Sequence, residues 1–473
     1  MMTPLDTKAM DANSEALGVG AARLMGNAGR AVADLLSERY PGRRIVFFCG
    51  HGDNGGDGFA AASMMEDADV AVCLIDPAAK IRSEAALTYF YKLRCGRSGM
   101  PYEGDFDVLV DCGLGTGASG SLRPPYSEFV DFANGFGGDV VSVDVPTGFG
   151  GEKSVRPKTT VTMHDVKEGM DERSCGEIVV ADIGMPEDAW RFTGPGDMLR
   201  YPVPSDDSHK GDNGRLLIVG GGPYCGAPAL SGLAALRCGV DTVTIATPES
   251  GYGETASFSP VFVMKRLKGE AATDAHLDEV LGYAKGCDAV LVGPGIGRGE
   301  GTQRLVRALC DGLDRPTVVD ADGLFALGDS FAAKRGGLVL TPHRGEFAGL
   351  GGEDAESLAR RTGCTVLLKG REDVISDGKR TRRNRTGCAG MTGAGTGDVL
   401  AGIVAGLMAK GVPPFDAACL GAYISGKAGE YAFGKRSYGM TATDVVERIP
   451  KVLRKGLSER RRWISSPCRV SPR

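Results

Sequence analysis

Apolar positions along the chain follow two alternating periods. From Asp11 to Tyr40, the residues Leu17, Ala21, Leu24, Met25, Ala28, Val32, Leu35 and Leu36 keep helical spacing until Pro41-Gly42 breaks it. Ile45-Val46-Phe47-Phe48-Cys49 is then a continuous apolar run of strand length, followed by glycine-rich Gly50–Gly58 and a helical Phe59–Glu66. Similar strand-like runs return at Val70–Ile75, Val108–Asp111 and Val140–Asp144. They continue at Leu216–Val219, Val243–Ala246, Ala289–Val292, Thr317–Asp320, Leu338–Thr341 and Thr365–Leu368. Continuous apolar strands separated by helix-length segments predict mainly parallel sheets covered by helices on both faces. The stretch Tyr201–Ser208 is proline-rich and without period, and reads as a linker. The expected fold class is therefore α/β, with two three-layer α/β/α domains at 1–205 and 206–460 and a basic tail at 461–473.

The polar residues gather where the apolar runs end. Asp111 leads into Gly113–Gly120, Asp144 into Val145-Pro146-Thr147-Gly148, and Asp320 into Ala321-Asp322-Gly323. Carboxylates at the C-terminal ends of parallel strands lie on the ligand edge of such a sheet, although an aspartate there can equally be a helix cap or turn starter. In Gly387–Gly397 five glycines precede a helix marked by Leu400, Ile403, Val404, Leu407 and Met408 and stopped by Gly411 and Pro413-Pro414. A glycine-rich turn feeding a helix start aims backbone N–H groups and the positive dipole end at one point, which suits an anion. Asp398 sits at that start, either as a proton acceptor or as a bare cap.

Composition narrows the class. At 473 residues the chain suits two domains. Glycine, 72 residues, is about twice as frequent as the ordinary ~7 %, and it clusters at the ends of apolar runs as ligand-cradling loops do. The net charge of −5 excludes a general nucleic-acid or membrane-surface binder. The basic run Arg460-Arg461-Arg462 reads as a solvated helix end. Thirteen cysteines form no C-x-x-C pair and read as reduced core residues. No apolar signal segment or membrane-length run is present, so a cytoplasmic protein without membrane association is expected.

Residues 1–200 resemble the NAD(P)H-hydrate epimerase family through Met10-Asp11, Met25–Gly29, Gly52–Gly58, the Asp111 and Asp144 turns, Lys167-Glu168-Gly169 and Asp182–Pro186. The resemblance implies a Rossmann-like domain. Asp53, Asn54, Gly55, Gly56 and Asp57, with Gly115, Thr116, Gly117, Ala118, Ser119, Gly120 and Ser121, would hold the hydrated dinucleotide. It further implies a potassium ion on Asn54, Asp111 and Thr147, and Asp144 as the acid–base group against the substrate ring. Asp53 stands where that family usually has asparagine, Gly26 where it has glutamate, and Thr147 where it has serine.

Residues 207–455 resemble the ribokinase-like superfamily, and within it the ADP/ATP-dependent NAD(P)H-hydrate dehydratases. The motifs are Lys210-Gly211-Asp212, Gly293–Gly297, Asp320–Asp322, Thr341-Pro342-His343 and Gly393–Asp398. That resemblance implies Asp398 as catalytic base and Ala227, Gly295, His343 and Asp398 facing the hydrated nicotinamide. Lys369, Gly370, Arg371, Glu372 and Asp373, with Gly395, Thr396 and Gly397, would border ADP, which Mg²⁺ accompanies. His343 beside a proline can also be a packed turn residue. Cys388 stands where asparagine is common.

The whole chain is thus similar to the bifunctional NAD(P)H-hydrate repair enzymes. They epimerise the R and S hydrates of NADH and NADPH and dehydrate the S form with ADP, giving AMP and phosphate. Homo-oligomers are usual in that family. The alternative is a small-molecule kinase of the vitamin-precursor type with a non-catalytic N-terminal nucleotide-binding module.

Overall fold

The computed structural model describes residues 2–65, 68–118 and 120–464. The chain divides into two compact units, one of Met1–Ala189 with Arg461–Arg473 and the other of Trp190–Arg460. The expected boundary at 205 therefore moves to 189. Residues 190–201 belong to the second unit because Arg382 reaches the buried Asp197 at 2.5 Å and Thr193 Oγ1 donates to Asn384 Oδ1 at 2.7 Å. Tyr201, expected in the linker, is buried and donates its hydroxyl to the Cys238 carbonyl at 2.8 Å. Arg461–Ile464 end the helix Ala442–Ile464. The rest of the expected tail lies outside the described residues.

In the first unit, seven strands form one sheet in the order β3-β2-β1-β4-β5-β6-β7, every adjacent pair parallel. They are β1 (Ile45–Cys49), β2 (Val70–Leu74), β3 (Gly96–Gly99), β4 (Val108–Cys112), β5 (Asp139–Val143), β6 (Thr159–Met163) and β7 (Glu177–Ala181). Alternate side chains of β1 supply two different cores, Phe47 and Cys49 one, Val46 and Phe48 the other. Both faces of the sheet are consequently covered, as a continuous apolar strand requires. The strand order reverses between β1 and β4, and that switch point is where an open α/β sheet binds its ligand.

Two local readings change. The helical run Asp11–Tyr40 is two helices, Pro4–Ala16 and Ala21–Arg39, parted where Gly18 takes φ +88°. The expected glycine loop after β1 is mostly the first turns of the helix Asp53–Met64. Glycine sits in that helix for lack of room: a Cβ on Gly58 would come within 2.7 Å of the Cys112 and Cys49 sulfurs.

In the second unit nine strands run β10-β9-β8-β11-β12-β13-β14-β15-β16. They are β8 (Arg215–Val219), β9 (Thr242–Pro248), β10 (Val263–Leu267), β11 (Ala289–Val292), β12 (Thr317–Val319), β13 (Leu338–Leu340), β14 (Thr365–Leu368), β15 (Asp373–Ser376) and β16 (Thr381–Asn384). β8 to β14 are parallel, and the last two strands join antiparallel. Leu216 and Ile218 enter one core, Leu217 and Val219 the other. The helix Thr396–Ala409 is buried along its length from Val399 to Ala409, apolar all round as a central helix must be. Among the described residues no helix is long and apolar enough to cross a membrane. The twelve described cysteines are free, and nine of them are buried.

Candidate active sites

The second unit gathers its polar loops at the C-terminal ends of β8, β11, β12, β13 and β14. Gly395, at φ +88°, turns the chain into the helix Thr396–Ala409 in a conformation that a side chain would oppose. The first turn of that helix leaves the N–H groups of Thr396 and Gly397 without helix partners. Thr396 Oγ1 steadies the turn by donating to the Met391 and Gly393 carbonyls at 2.7 and 3.0 Å. Asp398 is the third helical residue, and the Ser231 hydroxyl donates to its main-chain carbonyl at 2.9 Å.

Around that turn stand three further charges. Lys369, at the end of β14, donates to Asp320 Oδ1 at 2.8 Å and lies 3.9 Å from Glu346 Oε2. Thr341 Oγ1 donates to the same Asp320 oxygen at 2.8 Å. A Cβ placed on Gly397 would be 3.4 Å from the Lys369 ammonium, so the cation faces the glycine turn itself. Burial alone would lower the Lys369 pKa, but Asp320, Glu346 and Asp398 outweigh it, and the ammonium is held charged. Burial, then the Asp320 carboxylate, pushes Asp398 up to about 7, with Lys369 opposing and Glu346 adding to the rise. Burial also raises Glu346. An acid poised near neutrality beside a glycine-lined anion turn is equipped to accept a proton at physiological pH.

Of the other expected residues, His343 caps the helix Arg344–Gly349. Its Nδ1 accepts from the Gly345 and Glu346 amides at 3.0 and 3.1 Å, and Glu346 returns the contact to the His343 N–H at 2.8 Å. The His343 Nε2, 3.5 Å from Glu346 Oε1, keeps a solvent-open edge. Gly295, at φ +65°, faces the Tyr224 carbonyl, where a Cβ would come within 2.3 Å. Ala227 lies in the first turn of the helix Gly226–Arg237, which carries Ser231. Gly370 donates to Asp373 Oδ1 at 3.0 Å, Arg371 is exposed, and Glu372 pairs with Arg383 at 2.5 Å. The Asp322 carboxylate accepts from the Gly297 amide at 3.1 Å and from Arg298 Nε at 2.6 Å. Sequence reasoning expected Lys369 only beside the nucleotide. Its ion pair with Asp320, and the proximity of Glu346, depend on strand neighbours distant in the chain.

In the first unit Asp144 follows β5 at φ +64°, a left-handed conformation that aspartate tolerates better than most residues. Its Oδ2 accepts from the Thr116 amide at 3.0 Å and its Oδ1 lies 3.5 Å from the Lys167 ammonium. Gly115 is wedged between: a Cβ there would meet Asp144 Oδ2 at 2.7 Å and Asn54 Cβ at 3.3 Å. Asp144, Asn54 and the Gly115-Thr116 turn therefore meet, from β5, the helix Asp53–Met64 and the loop after β4. Asp53 is exposed on the first turn of that helix, with Gly55 and Gly56 buried below it. Gly117, Ala118, Gly120 and Ser121 continue the turn, and Ser119 lies outside the described residues.

Burial, then Asp144, Asp53 and Asp11, raises Asp57 well above its usual value, against Lys167. Asp11 is exposed at the edge of the same crevice, and the groups crowded around its carboxyl, then Asp53 and Asp144, raise its pKa against Lys167. Asp11 was legible as a motif residue and not as a site residue. The parallel bridge between Met2 and Lys167, made by Met2 N to Val166 O at 3.0 Å and Glu168 N to Met2 O at 2.9 Å, ties the start of its helix beside the lysine.

Of the three residues expected to hold a cation, Asp111 and Thr147 are bonded to each other, and Asn54 lies against Gly115 of the loop that follows Asp111. Asp111, buried, accepts from Thr147 Oγ1 at 2.6 Å, the Thr147 amide at 2.8 Å, Ser142 Oγ at 2.9 Å and the Gly113 amide at 3.1 Å. Thr147 Oγ1 also accepts from the Leu114 amide at 2.9 Å. Asn54 is buried, and neither its Oδ1 nor its Nδ2 has a hydrogen-bond partner. A buried amide of that kind calls for a ligand.

Residues 216–451 match the family described as NAD(P)H-hydrate dehydratase, and residues 21–169 the family described as YjeF-related protein N-terminus. The chain is 41 % identical to the bifunctional NAD(P)H-hydrate repair enzyme Nnr of Methanothermobacter thermautotrophicus, covering 96 % of each chain. It is 39 % identical to the enzyme of the same name from Archaeoglobus fulgidus, over 95 % of this chain and 97 % of that one. Among solved structures, a ribokinase-like superfamily protein from Enterococcus faecalis shares the fold at TM-score 0.50 and 23 % identity, covering 56 % of this chain and 96 % of that one.

Proposed function

The chain belongs to the family of bifunctional NAD(P)H-hydrate repair enzymes, and we propose that its two units divide the chemistry as their sites suggest. The second unit dehydrates hydrated NAD(P)H and the first interconverts its epimers. This reading takes precedence over the small-molecule kinase alternative, since relatives matching nearly the whole chain carry the repair name.

Hydroxide is a poor leaving group, and the hydrate must lose one from its reduced ring. In our reading, Asp398 accepts the proton of that hydroxyl while its oxygen takes the terminal phosphoryl group of ADP. The resulting phosphate ester then expels inorganic phosphate while the adjacent ring carbon gives up a proton to water, and the C–H electrons re-form the ring double bond, so hydrated NADH and ADP yield NADH, AMP and phosphate. Thr396 and Gly397 would stabilise the transferring phosphoryl with their amides and Lys369 with its ammonium. The single observation that carries this is a half-buried carboxylate in the first turn of the helix, on the glycine turn that Lys369 faces. Ala227, Gly295 and His343 would face the nicotinamide, while Gly370, Arg371, Glu372, Asp373 and Gly395 would border the nucleotide. Among the described residues no group of three or more His, Cys, Asp or Glu side chains is arranged to hold a metal ion. A magnesium ion would enter with the ADP phosphates, as that small, hard ion commonly does.

In the first unit, Asp144 would exchange the proton at the hydrated ring, steadied by Thr116 and Lys167. Asp53, Gly55, Gly56 and Asp57, with the 115–121 turn, would line the dinucleotide. The unpartnered Asn54 carbonyl and the remaining lone pair of Thr147 Oγ1 fit a potassium ion, a hard cation that takes neutral oxygens. Asp111 already receives four donors and would contribute chiefly its charge. A homo-oligomer is also proposed: Val263, the first residue of the edge strand β10, is exposed with Phe258 and Val261 just before it, where a second copy would cover them.

The test is direct. Incubation with hydrated NADH and ADP should restore NADH absorbance, with one AMP and one phosphate released per NADH. Accumulation of a stable phosphorylated alcohol without NADH would favour the kinase alternative.

A further inference from the structure

In a nucleotide-binding sheet with the strand order of the first unit, the pyrophosphate lies on the helix after β1. An acid at the end of β2, about 20 residues past the glycine turn, reads the adenosine ribose. Asp76 stands at that place, two residues beyond β2 and 24 beyond Gly52. With Asp144 after β5 taken as the ring-side group, the two aspartates lie on opposite sides of the β1–β4 switch point, as the two ends of a dinucleotide would.

Asp76 is not available to a ribose hydroxyl. Its side chain is 2 % exposed, Lys80 Nζ donates to Oδ1 at 2.6 Å, and Tyr126 Oη donates to Oδ2 at 2.5 Å. His51 Nδ1, from the turn after β1, lies 2.8 Å from the same Oδ2. Three hydrogen bonds outweigh burial and keep this carboxyl below its usual pKa, so it holds Lys80 as a fixed counter-charge. The Lys80 side chain is 56 % exposed, and its ammonium spends one of three donors on Asp76. Arg82, exposed and held by the Ala79 carbonyl at 2.8 Å, follows two residues later. Where a hydroxyl-reading acid would repel a phosphate, this chain presents cations.

We propose that Lys80, oriented by Asp76, His51 and Tyr126, binds the 2′-phosphate of hydrated NADPH and makes the first unit prefer that hydrate over hydrated NADH. The inference rests on the epimerase reading above. The contact is a charge-assisted one at a solvent-open site, so its effect should weaken as salt rises.

The experiment follows epimerisation of each hydrate by chromatography in the absence of ADP, with the full chain and with Lys80→Met and Lys80→Arg. The ratio of kcat/KM for hydrated NADPH over hydrated NADH should fall about tenfold in Lys80→Met, largely persist in Lys80→Arg, and decline with ionic strength in the parent. An unchanged ratio in Lys80→Met, with both hydrates still epimerised, would overturn this inference alone. If neither hydrate is epimerised the epimerase reading falls instead. Retention of NADP⁺ over NAD⁺ by the parent protein then decides: its loss in Lys80→Met supports the phosphate contact, and its persistence refutes it.

Discussion

Replacing Asp398 by asparagine should stabilise the second unit while slowing dehydration by orders of magnitude. The carboxyl is raised from 3.8 to about 7 by burial and by Asp320 and Glu346, which means that its ionised form opposes folding. The sign follows from linkage. A carboxyl whose pKa is higher in the folded than in the unfolded chain gives stability below pH 4, and loses it as pH rises through 7. Three powers of ten in proton affinity, at about 1.4 kcal/mol each, amount to about 4 kcal/mol. The group keeps some solvent contact, and screening reduces the figure to roughly 2 kcal/mol. Asparagine conserves the shape and cannot ionise. The stability difference between variant and parent should therefore be near zero at pH 4, open between pH 4 and 7, and hold at about 2 kcal/mol above that. For a domain of this size it corresponds to roughly 5 °C in the melting of the second unit. Calorimetry across that pH range, with the two unit transitions resolved, measures it. Dehydration of hydrated NADH with ADP should fall in the same variant by about 10² to 10⁴. A stability gain that does not depend on pH, or activity within tenfold of the parent, would refute the assignment of Asp398 as the base.

Three other perturbations bear on the same geometry. In the parent, kcat/KM for dehydration should rise with pH to a plateau with an apparent pKa near 7, measured from pH 5 to 9; a flat profile would contradict the acid that the site predicts. Lys369→Met should cost dehydration about 10² or more and destabilise the second unit by about 3 kcal/mol, because Asp320 is left buried without its cation; rates and unfolding midpoints read both. Gly115→Ala should abolish epimerisation while leaving dehydration of the S hydrate intact, since the added methyl would meet Asp144 Oδ2 at 2.7 Å and force that carboxylate aside.

The sheet layers could be foreseen because central parallel strands are continuous apolar runs, as in Phe47–Cys49 and Leu216–Val219. The strands that escaped notice lack that signature. β15 and β16 are short and polar, and Arg382 and Arg383 of β16 serve ion pairs with Asp197 and Glu372. β10, at the other edge, carries Lys265 and Arg266 among its five residues. The edge strands β10 and β16 trade apolar surface for charge, and β6, buried and interior, carries three threonines among its five residues, so an apolar run finds none of them. The break at Gly18 was hidden for a different reason: apolar spacing persists across it, and only the backbone angle parts the two helices. At the proposed sites, the glycine and proline turns beside Asp398 and Asp144 mark both as candidates in the sequence. The Lys369–Asp320 ion pair was not, for it joins β14 to the end of β12 across 49 positions of chain, and no local pattern encodes it.

One seam in the second unit bears on attempts to redesign the enzyme. Ser231 anchors the base-bearing helix by its hydroxyl, and a methyl added at Gly402 would collide with the Ser231 carbonyl at 2.2 Å. The helices Gly226–Arg237 and Thr396–Ala409 are thereby keyed together and will travel as one piece. Anyone seeking to admit a bulkier alcohol at the proposed site should leave that joint untouched, and with it Gly293 and Gly295, where a Cβ would come within 2.0 Å of the Asp320 carbonyl and 2.3 Å of the Tyr224 carbonyl.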